Sequence, residues 1–187
     1  MPHKLDEARL IERARQGDRQ AIAELYRAHV DTVYRYVYTR VRDEQLAEDL
    51  TAQVFLQAIE GLPGYEVTGA PFMAWLYRIA HARVVDHYRR QGRRQEVSLP
   101  ETLVSEGPRP EDFVEAEADW AMAIDLLAQL TDDQQDVMIL RFIGEMSLDQ
   151  VAKTLGKTLG AAKALQYRAL ATLARLVEEQ RADRAHG

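Results

Sequence analysis

The feature that most restricts the fold of this chain is the segment 147–176. It contains two apolar-periodic stretches separated by Gly156, and every charged side chain after Gln150 within it is positive. Ser147 followed by Gln150 is a capping-box start, and a glycine can adopt the left-handed conformation that ends a helix. Thr158 can then cap a second helix. The pattern predicts a helix-turn-helix with a basic second helix, which indicates DNA binding.

The formal net charge of -6 argues against a nucleic-acid partner, but its distribution reverses that argument. Eight acids and one base fall in residues 95–120, so much of the acidity lies in one middle segment. Phosphates respond to charge within a Debye length, about 10 Å at 0.1 M salt. Two clusters outside that segment are basic: Lys153, Lys157, Lys163, Arg168 and Arg175 in the helix-turn-helix, and Arg78, Arg83, Arg89, Arg90, Arg93 and Arg94 upstream.

Composition limits the class of protein. A chain of 187 residues with 47% hydrophobic and 29% charged residues suits one medium or two small globular domains. It contains no cysteine, which excludes disulfides and thiolate metal sites and fits a reducing cytoplasm. No apolar run approaches the ~20 residues of a membrane span, and the charged N-terminus has no signal-peptide core. We therefore expect a cytoplasmic protein without membrane insertion.

Helical periodicity runs through most of the chain. It predicts four helices before residue 94, near 5–16, 19–42, 44–60 and 71–92. Proline, glycine and acidic residues then replace it, and it resumes near residue 111 and again from Thr131 to Gly144. The predicted class is all-α, with two small helical domains at 1–94 and 116–187 joined by a flexible acidic linker at 95–115.

Motifs typical of enzymes are absent from the sequence. It has no glycine-rich phosphate loop, no HExxH or EF-hand pattern, and no obvious set of histidine ligands. Its many carboxylates are explained more simply as solvated helix faces. We therefore expect no catalytic activity, no bound metal and no cofactor.

Three stretches carry a resemblance to a known family: AEDLTAQVFLQAIEGL at 47–62, PFMAWLYRIAHARVVDHYRR at 71–90, and LTDDQQDVMILRFIGEMSLDQVAKTLGKTLGAAKALQYRALATL at 130–173. Their order and spacing resemble an extracytoplasmic-function (ECF) sigma factor of the sigma-70 family. The resemblance covers about residues 5–178. It implies a promoter -10-binding domain, region 2, followed by a promoter -35-binding domain, region 4.

The resemblance also implies partners. Such a protein binds core RNA polymerase, at the β′ clamp and the β flap, and directs it to specific promoters. Region 4 recognises the -35 element, and region 2 recognises and melts the -10 element. An anti-sigma protein that covers the polymerase-binding faces is a further implied partner.

The resemblance assigns candidate residues to three surfaces. The polymerase-binding candidates are Glu48, Asp49, Leu50, Val54 and Phe55. The -10 candidates are Tyr65, Trp75, Arg78, His81, Arg83, His87, Arg89 and Arg90. The -35 candidates are Lys157, Thr158, Gly160, Ala161, Lys163, Ala164, Gln166, Tyr167 and Arg168. The leucines of the basic helix, Leu159, Leu165, Leu170, Leu173 and Leu176, are expected in the core.

Simpler interpretations of some of these residues remain open. Leu50, Val54, Phe55 and Trp75 lie on apolar stripes, so core packing explains them as well as contact with a partner does. For the whole chain, one alternative is a two-domain helix-turn-helix regulator that binds duplex DNA without core polymerase. Another is a helical interaction adaptor, whose function would survive loss of Arg89, Arg90 and Lys163. A pull-down of core polymerase separates these alternatives.

Overall fold

The computed structural model describes residues 4–95 and 122–186. Every regular element in these two stretches is helical, which confirms the predicted all-α class. Nearly all of the predicted linker, and the helical pattern expected to resume near residue 111, lie outside the described residues.

The N-terminal unit contains four helices, as predicted. They are α1 (Lys4–Arg15), α2 (Arg19–Val41), α3 (Glu44–Gly61) and α4 (Phe72–Gln95), with a 3₁₀ turn at Leu62–Gly64 between the last two. Helices α2, α3 and α4 pack against one another, and α1 packs against α2. Val33, Val54 and Leu76 are fully buried where they meet. This three-helix core fixes the faces that α3 and α4 present to solvent.

Helix ends in this unit differ from the prediction by a few residues. Arg42 adopts a left-handed conformation with φ of 57°, and its N–H donates to the Tyr38 carbonyl at 2.9 Å, so α2 ends one residue early. Asp43 then caps α3 by accepting from the Leu46 N–H at 2.7 Å. Helix α4 continues through Gly92 to Gln95. An interior glycine costs a helix only about 1 kcal/mol, which does not end it.

The C-terminal unit is built around one long helix. Residues 122–127 form α5, followed by α6 (Asp132–Met138), α7 (Leu148–Thr154) and α8 (Leu159–His186). Helices α6 and α7 both pack on α8. Their buried residues include Val137, Val151, Ala162 and Ala169.

The helix predicted from Thr131 to Gly144 forms and ends at Gly144, but its second half is not α-helical. Residues Ile139–Ile143 form a wider π turn, closed by the Gly144 N–H donating to the Ile139 carbonyl at 2.9 Å. A Cβ at position 144 would lie 2.9 Å from the Leu140 carbonyl oxygen, so the turn requires glycine there. The turn leads the chain into α7.

The two units are in contact. Helix α4 of the first unit touches α7 of the second, and one continuous set of buried residues extends through both. The two units therefore share one hydrophobic core in this structure.

Candidate functional site

The helix-turn-helix forms as the sequence predicts. Ser147 and Gln150 make the reciprocal capping box: the Ser147 N–H donates to Gln150 Oε1 at 2.7 Å, and the Gln150 N–H donates to Ser147 Oγ at 3.3 Å. Gly156 has φ of 64°, the left-handed end that a glycine accommodates. Thr158 Oγ1 accepts from the Ala161 N–H at 3.1 Å and caps α8. Local sequence signals therefore set where α7 begins and ends and where α8 begins.

Most of the -35 candidates share the exposed face at the start of α8. Tyr167 is 76% exposed. A Cβ at Gly160 would meet only Thr158 Oγ1, at 3.9 Å, so packing does not require this glycine. The candidates that lie exposed are Thr158, Gly160, Ala161, Lys163, Ala164, Tyr167 and Arg168; Lys157 and Gln166 are half-buried. This face is free of the contacts that hold α8 on α6 and α7.

The expectation that all five leucines of α8 lie in the core is wrong for two of them. Leu176 is buried, and Leu165 and Leu173 pack against the core. Leu159 and Leu170 are 40% and 43% exposed. These two fall on sides of α8 that neither α6 nor α7 covers, since short helices shield only one stripe of a long one.

Exposed cations follow one side of α4. Arg78, Arg89 and Arg90 are exposed, and Arg83 is half-buried because its Nε donates to Gln57 Oε1 at 3.0 Å. Arg89 pairs with Asp86 at 3.0 Å, a surface pair worth little energy. The predicted basic surface of α4 is therefore present and accessible in the described part of the chain. Arg93 and Arg94 continue α4, and His87 is half-buried beside Tyr88.

Two aromatic -10 candidates pack against each other instead of facing solvent. Tyr65 is 8% exposed, and its ring centroid lies 4.7 Å from that of Trp75 and 5.4 Å from that of Phe72. Trp75 is half-buried, and a Cβ at Gly61 would lie 3.1 Å from its ring. In this structure the cluster anchors the loop 62–70 on α4. Base stacking by Tyr65 stays a prediction.

Helix α3 separates the polymerase-binding candidates into two groups. Glu48 and Asp49 are exposed, whereas Leu50, Val54 and Phe55 are 4%, 0% and 6% exposed and belong to the core. The large apolar side chains that α3 does present to solvent are Leu56 and Ile59, 62% and 40% exposed.

The sequence analysis missed the exposed apolar residues of α3. Leu56 is out of phase with the stripe formed by Leu50, Val54 and Ala58, so helical periodicity already placed it on the solvent side. A large apolar residue on the polar side of a helix is the signal that would have found it. Tyr26 of α2, 44% exposed, packs edge-on against Phe55 with ring centroids 4.8 Å apart and extends the apolar surface.

A second group that the sequence analysis missed joins the two units. Arg40 of α2 donates to Asp132 Oδ1 at 2.7 Å, to the Asp132 carbonyl at 3.0 Å and to the Asp136 carboxylate. The side chains of Arg40 and Asp136 are 10% and 8% exposed. Arg42 pairs with Asp125 at the edge of the same contact. Nothing in the sequence marks these pairs, because about 90 residues separate the partners.

The group is electrostatically coupled. Burial raises the pKa of the Tyr36 and Tyr77 hydroxyls well above the usual value, and the Asp136 carboxylate raises both further. Burial works against the charged form of Arg40, but Asp136, Tyr36 and Asp132 together more than offset it, and the pKa of Arg40 is raised. Both hydroxyls therefore remain protonated and Arg40 remains positive at physiological pH.

Within residues 4–95 and 122–186, no helix is long and apolar enough to cross a lipid bilayer.

Comparison with known proteins gives two family matches in chain order. Sigma-70 region 2 matches residues 25–94, and Sigma-70, region 4 matches residues 126–175. The ECF RNA polymerase sigma factor BldN of Streptomyces coelicolor is 41% identical over 172 residues, which cover 91% of this chain and 65% of BldN. The ECF RNA polymerase sigma factor SigD of Mycobacterium tuberculosis is 33% identical over 171 residues, 88% of this chain and 80% of SigD.

The fold is similar to that of a solved sigma factor. RpoE, whose structure is known in complex with the anti-sigma factor NepR from Bartonella quintana, matches with a TM-score of 0.62 and 20% sequence identity. The match covers 83% of this chain and 96% of RpoE. At this identity the likeness supports the fold and its order of helices.

Proposed function

This chain belongs to the ECF RNA polymerase sigma factors of the sigma-70 family, and we propose that it is a bacterial transcription initiation factor that directs core RNA polymerase to specific promoters. The observation that carries the proposal is that each matched region contains one helix, α4 or α8, with cations along an exposed side. We take 1–94 as region 2, 95–115 as the linker and 116–187 as region 4. The proposal gives the chain no catalytic activity of its own.

Helix α8 reads the -35 element in this proposal. Its first turns are narrow, because Gly160, Ala161 and Ala164 have small or no side chains, and a helix of this width can approach base edges in the major groove. Lys163 and Arg168 lie on the same exposed face, where Lys163 supplies a base-edge contact and Arg168 a phosphate contact. Tyr167 lies between them with its ring in solvent.

Helix α4 binds the -10 element. Melted DNA needs cations along its backbone and a surface for unstacked bases. Arg78, Arg89 and Arg90 provide the cations on the exposed side of α4. The loop 62–70, held on α4 by Tyr65, provides a location for the unstacked bases, and Val67 at its tip is 51% exposed.

Helix α3 binds the polymerase β′ clamp. Glu48 and Asp49 supply charges that pair with a basic partner, and Leu56 supplies the apolar anchor. The buried Leu50, Val54 and Phe55 support that surface from below, and direct contact by them stays a prediction. Region 4 contacts the β flap in the same proposal.

An anti-sigma factor is the further partner that we propose. RpoE, which shares the fold, is solved with one. Leu56 is exposed on a surface that must remain available for polymerase. It is therefore a suitable target for an inhibitor that competes for the same contact.

Promoter-dependent transcription tests the function. Purified core polymerase, with and without this chain, is given a library of genomic fragments, and run-off transcripts are mapped. We expect transcripts from a defined set of fragments only when the chain is present. The proposal is wrong if core polymerase that is active with another sigma factor gives no such transcripts. Tight duplex binding by the free chain, without polymerase capture, would indicate a stand-alone regulator instead.

Lys163→Ala is expected to weaken binding of the holoenzyme to promoters through the -35 element alone. A base-edge contact of this kind is worth about 1–3 kcal/mol, roughly fivefold or more in affinity. A gel-shift titration on one promoter, with the -35 element intact or scrambled, measures the effect. We expect the variant to lose affinity only for the intact promoter.

Lys153→Ala is the matched control for that titration. Lys153 is an exposed lysine of α7 that pairs with Asp149 at 2.7 Å and lies outside the proposed reading face. Equal losses from both variants, or a loss that persists on the scrambled promoter, would contradict a -35 role for Lys163.

Arg89→Ala combined with Arg90→Ala is expected to weaken binding of the holoenzyme to the single-stranded -10 element. Each lost phosphate contact lowers the slope of log affinity against log salt by about 0.7 on single strands, so the slope should fall by about 1.4. Fluorescence anisotropy with a non-template-strand oligonucleotide at several salt concentrations measures it.

The control for this pair is Arg175→Ala combined with Arg181→Ala. These exposed arginines lie in the second half of α8, and replacing both with alanine removes the same positive charge as the Arg89 and Arg90 variant does. An unchanged slope in the Arg89 and Arg90 variant, or an equal change in the control, would remove the arginine cluster from the -10 contact.

A further inference from the structure

Tyr167 is the most exposed of the large apolar side chains in the described residues, with 76% of its surface in solvent. It lies on α8, one helical turn after Lys163. Ala162 and Ala169 are fully buried and mark the side of α8 that faces the core. Helical geometry places Tyr167 on nearly the opposite side. An aromatic ring there contributes little to packing within the described residues.

The residues in line with Tyr167 along α8 are small. Gly160, Ala164, Tyr167 and Ala171 follow one another at spacings of four, three and four, which places them in one row on the helix surface. All of them are exposed. Tyr167 is the one long side chain of this row, so its ring projects beyond the rest. When α8 lies in a major groove, this ring reaches furthest toward the base edges.

The charges near Tyr167 are positive. Lys163 lies one turn before it and Arg168 directly after it. Arg168 Nε donates to the Ala164 carbonyl at 3.2 Å, which keeps the guanidinium beside the first turns of α8. The first acidic residue of α8 is Glu178, about three turns further on. A ring surrounded by cations alone is suited to a partner that carries phosphates.

The side chains of this face limit which bases α8 can read. Adenine is read by Asn or Gln, and cytosine by Asp or Glu. The exposed residues from 158 to 171 include none of these four types. The amide in this range, Gln166, is half-buried, and its Oε1 is buried without a hydrogen-bond partner among the described residues. Lysine reads guanine, and an apolar side chain reads the C5-methyl group of thymine, so the face presents Lys163 for guanine and Tyr167 for thymine.

We propose that Tyr167 is a specificity-determining residue whose ring contacts the C5-methyl group of a thymine in the -35 element. This inference rests on the proposed function and deepens it by assigning a base to one residue. Side chains four residues apart on a helix have Cβ atoms about 5–6 Å apart, and successive base pairs are about 3.4 Å apart. The thymine therefore lies within about two base pairs of the guanine that Lys163 contacts.

Replacement of thymine by deoxyuridine tests the contact, because it removes the methyl group and keeps the base pair. Each thymine of the -35 element, on both strands of a promoter found in the transcription assay, is replaced in turn. Competition gel shifts then measure binding of the holoenzyme. We expect one replacement to lower the affinity of the wild-type holoenzyme about fourfold, the effect of one apolar methyl group. The absence of any sensitive position in the -35 element would overturn the proposal.

Two variants at Tyr167 identify the side chain responsible. Tyr167→Ala removes the ring, so the thymine and deoxyuridine promoters should bind equally. Tyr167→Phe keeps the ring and should keep the fourfold ratio. Since the position is exposed and alanine is the best helix former, both variants should fold, which circular dichroism checks. A ratio that persists in Tyr167→Ala, or one that is lost in Tyr167→Phe, would contradict contact through the ring.

Leu170→Ala is the matched control. Leu170 is an apolar side chain of α8 that is 43% exposed and lies outside the -35 candidates. We expect this variant to keep the wild-type ratio of affinities for thymine and deoxyuridine promoters. An equal loss of the ratio in Leu170→Ala would overturn the assignment to Tyr167.

Two other roles for Tyr167 give different results. If the hydroxyl instead binds a phosphate, Tyr167→Phe and Tyr167→Ala lose the same affinity and the ratio does not change. If the ring instead binds a protein, Tyr167→Ala weakens capture of core polymerase and again leaves the ratio unchanged. Either result would overturn the thymine contact.

A promoter library randomised across the -35 element separates Tyr167 from Lys163. Holoenzymes with the wild-type chain, Lys163→Ala or Tyr167→Ala bind the library, and the bound fragments are sequenced. We expect Lys163→Ala to relax a guanine preference and Tyr167→Ala to relax a thymine preference, at positions no more than about two base pairs apart. Relaxation of the same position by both variants would overturn the proposal. Promoter-dependent transcription by the wild-type holoenzyme, measured alongside, tests the proposed function separately from this result.

Discussion

Leu56→Asp is expected to remove binding to core RNA polymerase while leaving the fold intact. Leu56 is 62% exposed on α3, about two helical turns beyond Glu48 and Asp49, where an apolar side chain has no structural role in the isolated chain. Truncation of a central apolar anchor costs an interface about 2 kcal/mol or more, and a buried unpaired carboxylate costs further. We therefore expect an affinity loss of at least about thirtyfold, since every 1.4 kcal/mol is tenfold. Surface plasmon resonance with immobilised core polymerase measures it.

Leu56→Met is the matched control, because methionine keeps the apolar area at the same position. It should bind core polymerase within about threefold of the wild type, a difference below 1 kcal/mol. Both variants should keep the -10 oligonucleotide affinity of the free chain. If Leu56→Asp binds core polymerase normally, α3 does not use this face as proposed. A loss of helical content in Leu56→Asp would contradict the assignment of Leu56 to the surface.

Leu76→Ala should have the largest effect on stability. Leu76 is fully buried where α2, α3 and α4 meet. Removing a buried leucine side chain costs about 2–5 kcal/mol, through lost transfer energy and the cavity that remains. A domain is stable by only about 5–15 kcal/mol, so region 2 should approach unfolding at growth temperature. Urea denaturation followed by circular dichroism measures the free energy of unfolding.

Leu56→Ala is the same substitution on the surface and should change the free energy of unfolding by less than about 0.5 kcal/mol. Substitutions at the two leucines should therefore separate stability from binding. We expect a change at Leu76 to lower the free energy of unfolding, and a change at Leu56 to weaken binding to core polymerase. Similar losses of stability in both would contradict the burial described for α3 and α4.

The fold followed closely from local sequence signals. The capping box at Ser147, the left-handed Gly156 and the cap at Thr158 all formed, because each depends on residues within one helical turn. The four helices of region 2 also appeared with ends shifted by at most a few residues. The π turn at Ile139–Ile143 was missed because a single widened turn contains too few residues for its period to be read from the sequence.

The sequence predicted some residues of the candidate site and missed others. Exposed cations such as Arg78 and Lys163 were found, since charge and helical position are both visible in the sequence. Leu56 was missed because motif positions drew attention to the stripe of Leu50 and Val54, which the structure buries. A motif includes residues that support a surface from below as well as residues that form it, and only burial separates the two.

The sequence by itself determined the helices, their caps, the helix-turn-helix and the family, because these depend on periodicity and short spacings. The tertiary structure alone decided which leucines face solvent and that Arg40 lies against Asp132 and Asp136. Those contacts join residues about 90 positions apart, and no local pattern encodes such a pairing. It arises from the packing of α6 against region 2, where the free energy of a buried charge requires a partner of opposite sign.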